Sequence, residues 1–100
     1  MIRGTTPTHT FKLPFDAEMV KSAMVIYAQN DAVVLEKEAQ DCTMHGNEIS
    51  VTLTQEDTLK FDCHFKVQVQ LRVLTMGGDA MASDIHIVTV GKCLSDEVLT

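Results

Sequence analysis

Between residues 61 and 74 the chain reads FDCHFKVQVQLRVL. Phe61, Cys63, Phe65, Val67, Val69, Leu71 and Val73 fall on odd positions, and only polar side chains fall on even ones until Leu74 ends the pattern. Successive side chains of a β-strand point to opposite faces, so this alternation describes a ribbon with one apolar and one wet side. The apolar side has to be buried against a second layer, which commits the chain to a layered, sheet-containing fold. One strand running from Leu59 to Val73 would span about 50 Å at about 3.3 Å per residue, whereas a domain of this size has a radius of gyration of about 13 Å. The ribbon therefore has to break. The break is placed between Asp62 and His64, with Leu59 and Phe61 capping the core and Phe65 to Leu74 forming a long strand.

The rest of the chain is punctuated in the same way. Thr8 to Phe15 alternates, with Phe11, Leu13 and Phe15 on one side, and is stopped near Pro14. SAMVIYAQ (22 to 29) and AVVLEKE (32 to 38) flank Asn30-Asp31, a pair that tolerates the left-handed conformations of a two-residue hairpin turn. HGNE (45 to 48) is a second turn signal, after which Ile49, Val51 and Leu53 alternate with polar residues. Thr54 and Asp57 stand in capping-box register, which predicts one helical turn near residues 55 to 59. MGGDAM (76 to 81) supplies glycines for a reversal, and SDIHIVTV (83 to 90) returns as the hairpin partner of the long strand; residues 91 to 100 form a tail without a clear pattern. Six to seven short strands at regular spacing and no long helix describe an all-β fold. An immunoglobulin-like antiparallel β-sandwich is the first expectation and a small barrel the second.

One hundred residues, 45% hydrophobic and 22% charged, suffice for one folded unit with a modest core, so residues 1 to 100 are read as a single β-sandwich domain. A net charge of -6, with eight basic residues dispersed along the chain, offers no footprint for a phosphate backbone, and nucleic acid is not an expected partner. No run approaches the about 20 apolar residues that span a bilayer, and Met1 to Pro7 has no apolar core of a signal peptide. A cytosolic chain with no membrane partner is expected, with Cys42, Cys63 and Cys93 as reduced thiols.

Signatures of chemistry are weak. Cys63 and His64 are adjacent, and neighbours on a strand point to opposite faces, so both reach one ion only where the strand breaks. Cys63 continues the apolar row and reads as a buried structural cysteine. His9, His45 and His86 have no zinc-type spacing to the cysteines. Ser83, Asp84 and His86 have the letters of a hydrolytic triad without a nucleophile elbow, and Gly77-Gly78-Asp79 lacks the continuation of a phosphate loop. Glu36, Glu38 and Asp41, like Asp96 and Glu97, read as solvated surface. No cofactor, metal site or catalytic residue is expected, and the chain is read as no enzyme.

Three segments lack a clean wet face. Residues 22 to 29 set Met24, Ile26 and Ala28 against Ala23, Val25 and Tyr27; residues 85 to 90 set Ile85 and Ile87 against Val88 and Val90; Leu74 breaks the polar row of the long strand. Strands apolar on both sides need cover on both. Either the chain's own loops and tail supply it, or a protein interface does, and the candidate interface is Val25, Tyr27, Leu74, Val88 and Val90.

RGTTPTHTFKLPF (3 to 15), ISVTLTQEDTLKF (49 to 61) and VQVQLRVLTMGGDAMASDI (67 to 85) together resemble a group of small structural proteins of tailed phages and prophages of Gram-positive bacteria. More distantly, the layout is similar to the N-terminal immunoglobulin-like domain of phage baseplate upper proteins. The resemblance implies a non-enzymatic virion or virion-assembly component, made in the host cytoplasm, whose partners are copies of itself or other virion proteins. It carries over no functional residue. The competing expectation is a small cytosolic binding module that takes a peptide or carbohydrate at a sheet edge or loop end.

Overall fold

The computed structural model describes residues 1–100. It contains β1 (Thr8–Lys12), β2 (Val20–Gln29), β3 (Ala32–Glu38), β4 (Cys42–His45), β5 (Glu48–Thr52), a helical turn α1 (Gln55–Leu59), β6 (Val67–Thr75), β7 (Ala80–Ala82) and β8 (His86–Val88). Two antiparallel sheets result. One is ordered β1-β5-β4, and the other is ordered β3-β2-β6-β7, with β8 also on β6. Inward-facing residues of both sheets build one core that includes Val25, Tyr27, Ile49, Val51, Leu53, Phe61, Val67, Val69 and Leu71. The molecule is an immunoglobulin-like sandwich rather than a barrel.

The opening ribbon behaves as its alternation requires. Val67, Val69, Leu71 and Val73 are buried, while Gln68, Gln70 and Arg72 face outward. The break does occur at residues 62 to 65, and its consequences extend further than the alternation suggests. Phe65 lies outside β6 and is exposed, and Cys63 sits half-buried in the turn rather than in the core row. A turn changes the direction of successive side chains, so odd-even parity does not carry across it. Gln29 holds this turn from the end of β2: its amide oxygen accepts from the Asp62 main-chain N–H at 2.9 Å, and its amide nitrogen donates to the carbonyls of Asp62 and Phe65 at 2.7 and 3.0 Å. Gln29 is buried. Gln29→Ala strips three hydrogen bonds from one loop and should cost about 1–3 kcal/mol, read as a lower urea midpoint.

The turn at Asn30-Asp31 has both residues at positive φ, 53° and 63°, as a tight hairpin between right-twisted strands requires. Asn30→Ile places a β-branched side chain in that conformation and should destabilise by about 1–2 kcal/mol, measurable as a shift of the thermal midpoint. Thr54 caps α1 as expected: its hydroxyl accepts from the Asp57 N–H, and the Asp57 carboxylate accepts from the Thr54 N–H.

Three departures from the sequence-based expectation have local causes. β1 ends at Lys12 rather than Phe15, although the Leu13 N–H still donates to the Asn47 carbonyl at 2.7 Å. β4 is a four-residue edge strand, too short for an alternation to be read. The partner of β6 is split into β7 and β8. At the split, the Ser83 hydroxyl accepts from the Leu71 N–H at 3.0 Å, while the Ser83 N–H donates to the Leu71 carbonyl at 2.8 Å. A side chain thus satisfies the ladder where the main chain leaves it. Ser83 is committed to this structural role. The first residues also close onto the last strand: Ile2 and Gly91 form a parallel bridge, and the N-terminal ammonium donates to the Thr89 carbonyl.

Candidate interaction face

The two outer faces of the sandwich differ in kind. On the β1-β5-β4 sheet the outward residues are polar: Thr8, Thr10 and Lys12 from β1, Thr43 and His45 from β4, and Glu48, Ser50 and Thr52 from β5. Hydroxyl pairs tie this face across strands, Thr8 to Thr52 at 2.8 Å and Thr10 to Ser50 at 2.9 Å. It is finished against water.

The outer face of the five-stranded sheet is not. The register sets Met24, Ile26 and Ala28 of β2 beside Arg72, Gln70 and Gln68 of β6. On the far side of β6 come Ala82 and Ala80, and then Ile87 beside Gln68. A polar central strand is thus flanked by apolar stripes, and Ile87 is 56% exposed. A shallow groove of about 590 Å³ crosses one end of this face between Met24, Leu74, Ala80, Arg72 and Glu38. Both signs of charge are present, with Arg72 on β6 and Glu36 and Glu38 on β3.

The five residues expected at an interface divide between the two sides of this sheet. Leu74 is half-buried on the outer face. Val25 and Tyr27 are not on it: they pair with Leu71 and Val69, share the inner face with them, and are completely buried. Val88 pairs with Val67 on the same inner side, and Val88 and Val90 pack against the core. The structure therefore corrects the expected interface at Val25 and Tyr27, while Val88 and Val90 are half-buried at the edge of the core. Alternation separates two faces of a strand without saying which is inward. The residues missed on the outer face are Met24, Ile26 and Ala28. The signal that identifies them is register: once β6 has its odd row inward, antiparallel pairing puts Ala23, Val25 and Tyr27 inward with it.

Tyr27 tolerates the interior because its hydroxyl is paired. It lies 2.7 Å from His9 Nδ1, and the two rings stack obliquely with centroids 5.6 Å apart. Burial pushes the Tyr27 phenol well above its ordinary range, with the negative charges that Cys42 and Asp57 carry when ionised adding to the effect. Burial also lowers the pKa of His9, aided by repulsion from the N-terminal ammonium. The folded state therefore prefers neutral His9. Its contribution to stability is whole above the ordinary value of 6.5 and is lost as pH falls from there through the lower folded pKa. His9→Gln, which keeps a partner for Tyr27 and does not titrate, should flatten the loss of urea stability between neutral and mildly acidic pH.

Lys37 and Asp57 form the other inward polar pair, 2.8 Å apart, with side chains 18% and 9% exposed. Burial alone would raise the Asp57 pKa. The hydrogen bonds from Lys37 and from the main chain and hydroxyl of Thr54 outweigh it, and the carboxyl titrates below its ordinary value.

No known protein family matches this sequence, and no curated protein matches it. Among solved structures, the chain is similar to the immunoglobulin-like domain of mouse leukocyte-associated immunoglobulin-like receptor 1, solved as a strand-swapped dimer. The match covers 90% of this chain and 83% of that one, with a TM-score of 0.50 and 11% identity. The V domain of amphioxus IgVJ-C2 also matches over 90% of this chain and 96% of its own, with a TM-score of 0.37 and 9% identity. The first likeness agrees with the two-sheet architecture, and the fold of this chain is that of an all-β, immunoglobulin-like sandwich.

Proposed function

We propose that this protein is a non-enzymatic structural or assembly component that works through the outer face of its five-stranded sheet, docking there on a second copy of itself. The observation that carries this reading is the inequality of the two outer faces: one is polar throughout, with hydroxyl pairs tying its strands, and the other presents Met24, Ile26, Ala28, Leu74, Ala80, Ala82 and Ile87 around a polar strand. Apolar side chains in contiguous stripes favour removal from water. Arg72 together with Glu36 and Glu38 supplies unlike charges for a face applied to itself about a two-fold axis. The strand-swapped dimer of the mouse receptor domain is a precedent for self-association on this fold.

The larger assembly implied by the sequence resemblance is a tailed phage or prophage particle, in which a small sandwich serves as a repeating baseplate, tail or capsid-associated adaptor. Quantitative mass spectrometry of particles purified from a lysate that expresses the chain tests this. A fixed number of copies per particle, comparable with that of the tail or capsid proteins, is expected. A chain abundant in the lysate and absent from the particles would overturn the virion reading.

A further inference from the structure

We infer that Asp62, Cys63 and His64 form a binding site for a borderline-soft divalent cation of the zinc class. These three residues supply a carboxylate, a thiol and an imidazole whose ligand atoms all lie within 4.8 Å of one another. The strand breaks here, and the turn closed from the Phe65 N–H to the Asp62 carbonyl brings side chains to the same side that a strand would separate.

Two of the three ligand separations lie within about 1 Å of those the ion needs. Cys63 Sγ and His64 Nδ1 are 3.9 Å apart, close to the about 3.5 Å between two corners of a tetrahedron with bonds of about 2.3 Å to sulfur and about 2.0 Å to nitrogen. The Asp62 carboxylate is 2.7 Å from His64 Nδ1 and also accepts from the His64 main-chain N–H at 2.8 Å. That pair has to part by less than about 1 Å for an ion to replace the proton between them. Binding releases the Cys63 thiol proton to solvent, while neutral His64 keeps its single ring proton on Nε2 and frees Nδ1 for the ion. A sulfur, nitrogen and oxygen donor set selects zinc-type cations over magnesium or calcium, which take oxygen ligands.

The loop is also held from outside, as a preformed site requires. Buried Gln29 fixes the main chain at Asp62 and Phe65. The Arg3 guanidinium donates to the carbonyls of Phe61 and Leu59 at 2.7 and 2.8 Å. Two distant parts of the chain thus pin the segments flanking a tripeptide in which Asp62 and His64 are exposed and Cys63 is half-buried. Three protein donors leave at least one coordination position open, for water or for a donor from a docking partner.

Calorimetric titration of the full, reduced chain with Zn²⁺, in parallel with titration by Co²⁺ followed by absorption, tests the assignment. One ion per chain is expected, with a thiolate-to-cobalt charge-transfer band. Asp62→Asn, Cys63→Ser and His64→Gln should each weaken zinc binding by about tenfold or more, and Cys63→Ser should abolish the band. Cys42→Ser and Cys93→Ser, which alter the other two thiols, should leave both unchanged. Circular dichroism checks that every variant is folded, which the surface position of Asp62 and His64 favours. Absence of saturable binding, or binding indifferent to residues 62 to 64, overturns the assignment, as does a cobalt band that survives Cys63→Ser.

Discussion

Tyr27→Ala is expected to cost about 3–5 kcal/mol, a large fraction of the about 5–15 kcal/mol that holds a domain of this kind together. Tyr27 has no exposed surface. It packs obliquely on Phe61, with ring centroids 5.9 Å apart, and its hydroxyl pairs with His9, so truncation opens a cavity between the sheets and leaves a half-buried imidazole without its partner. Urea unfolding of the variant should show a midpoint lowered by about 1 M or more. The same substitution distinguishes an inward ring from an outward one. A folded Tyr27→Ala variant with normal stability and altered association would put the ring on the surface and contradict the inward packing of β2.

Asp57→Ala is expected to be nearly as damaging. Removing one partner of a buried ion pair leaves the other charge uncompensated, at a cost of about 3–5 kcal/mol, and here the lost carboxylate also caps α1. Asp57→Asn should keep part of the cap but not the charge, giving a smaller loss. Because the folded pKa of Asp57 is lowered, the pair's contribution is whole above the ordinary value of 3.8 and disappears as pH falls through the folded pKa. The wild-type advantage over Asp57→Asn in chemical denaturation should therefore shrink at acid pH. The double variant Lys37→Met, Asp57→Leu should recover most of the loss, since a buried pair replaced by apolar side chains is often neutral in stability. A double variant as unstable as Asp57→Ala would show that the cap, not the charge pair, dominates.

The parts of this fold that are legible in the sequence are those specified by neighbours along the chain. The inward row of β6, the Asn30-Asp31 turn, the Thr54–Asp57 cap and the break after Phe61 each follow from spacing, turn chemistry or chain length, and each is present. What is not legible depends on residues far apart in the chain. The inward face of β2 is decided by its pairing with β6, which sets Val25 against Leu71 and Tyr27 against Val69, and alternation within β2 alone leaves Val25 and Tyr27 free to be read on the wrong side. The split between β7 and β8 depends on the Ser83 hydroxyl meeting the Leu71 N–H, a substitution invisible to hydrophobic alternation. The bridge between Ile2 and Gly91 joins the two ends of the chain. The Asp62-Cys63-His64 cluster lies between these cases. The strand break that brings its donors together is foreseeable from chain length, but the side to which a turn sends them is not.

If the outer face of the five-stranded sheet is the working surface, molar mass in solution reveals it most directly. Size-exclusion chromatography with light scattering would compare the 11.1 kDa chain with Ile26→Lys and Thr10→Lys across a wide concentration range under reducing conditions. Ile26 lies beside Glu36, so a lysine there gains a cross-strand partner and keeps the sheet intact while placing a charge in the apolar stripe. The expected result is a defined multiple of the chain mass for wild type and Thr10→Lys, and a monomer for Ile26→Lys. A wild-type monomer at every concentration, or an oligomer that survives Ile26→Lys and is broken by Thr10→Lys, would contradict the assignment of this face.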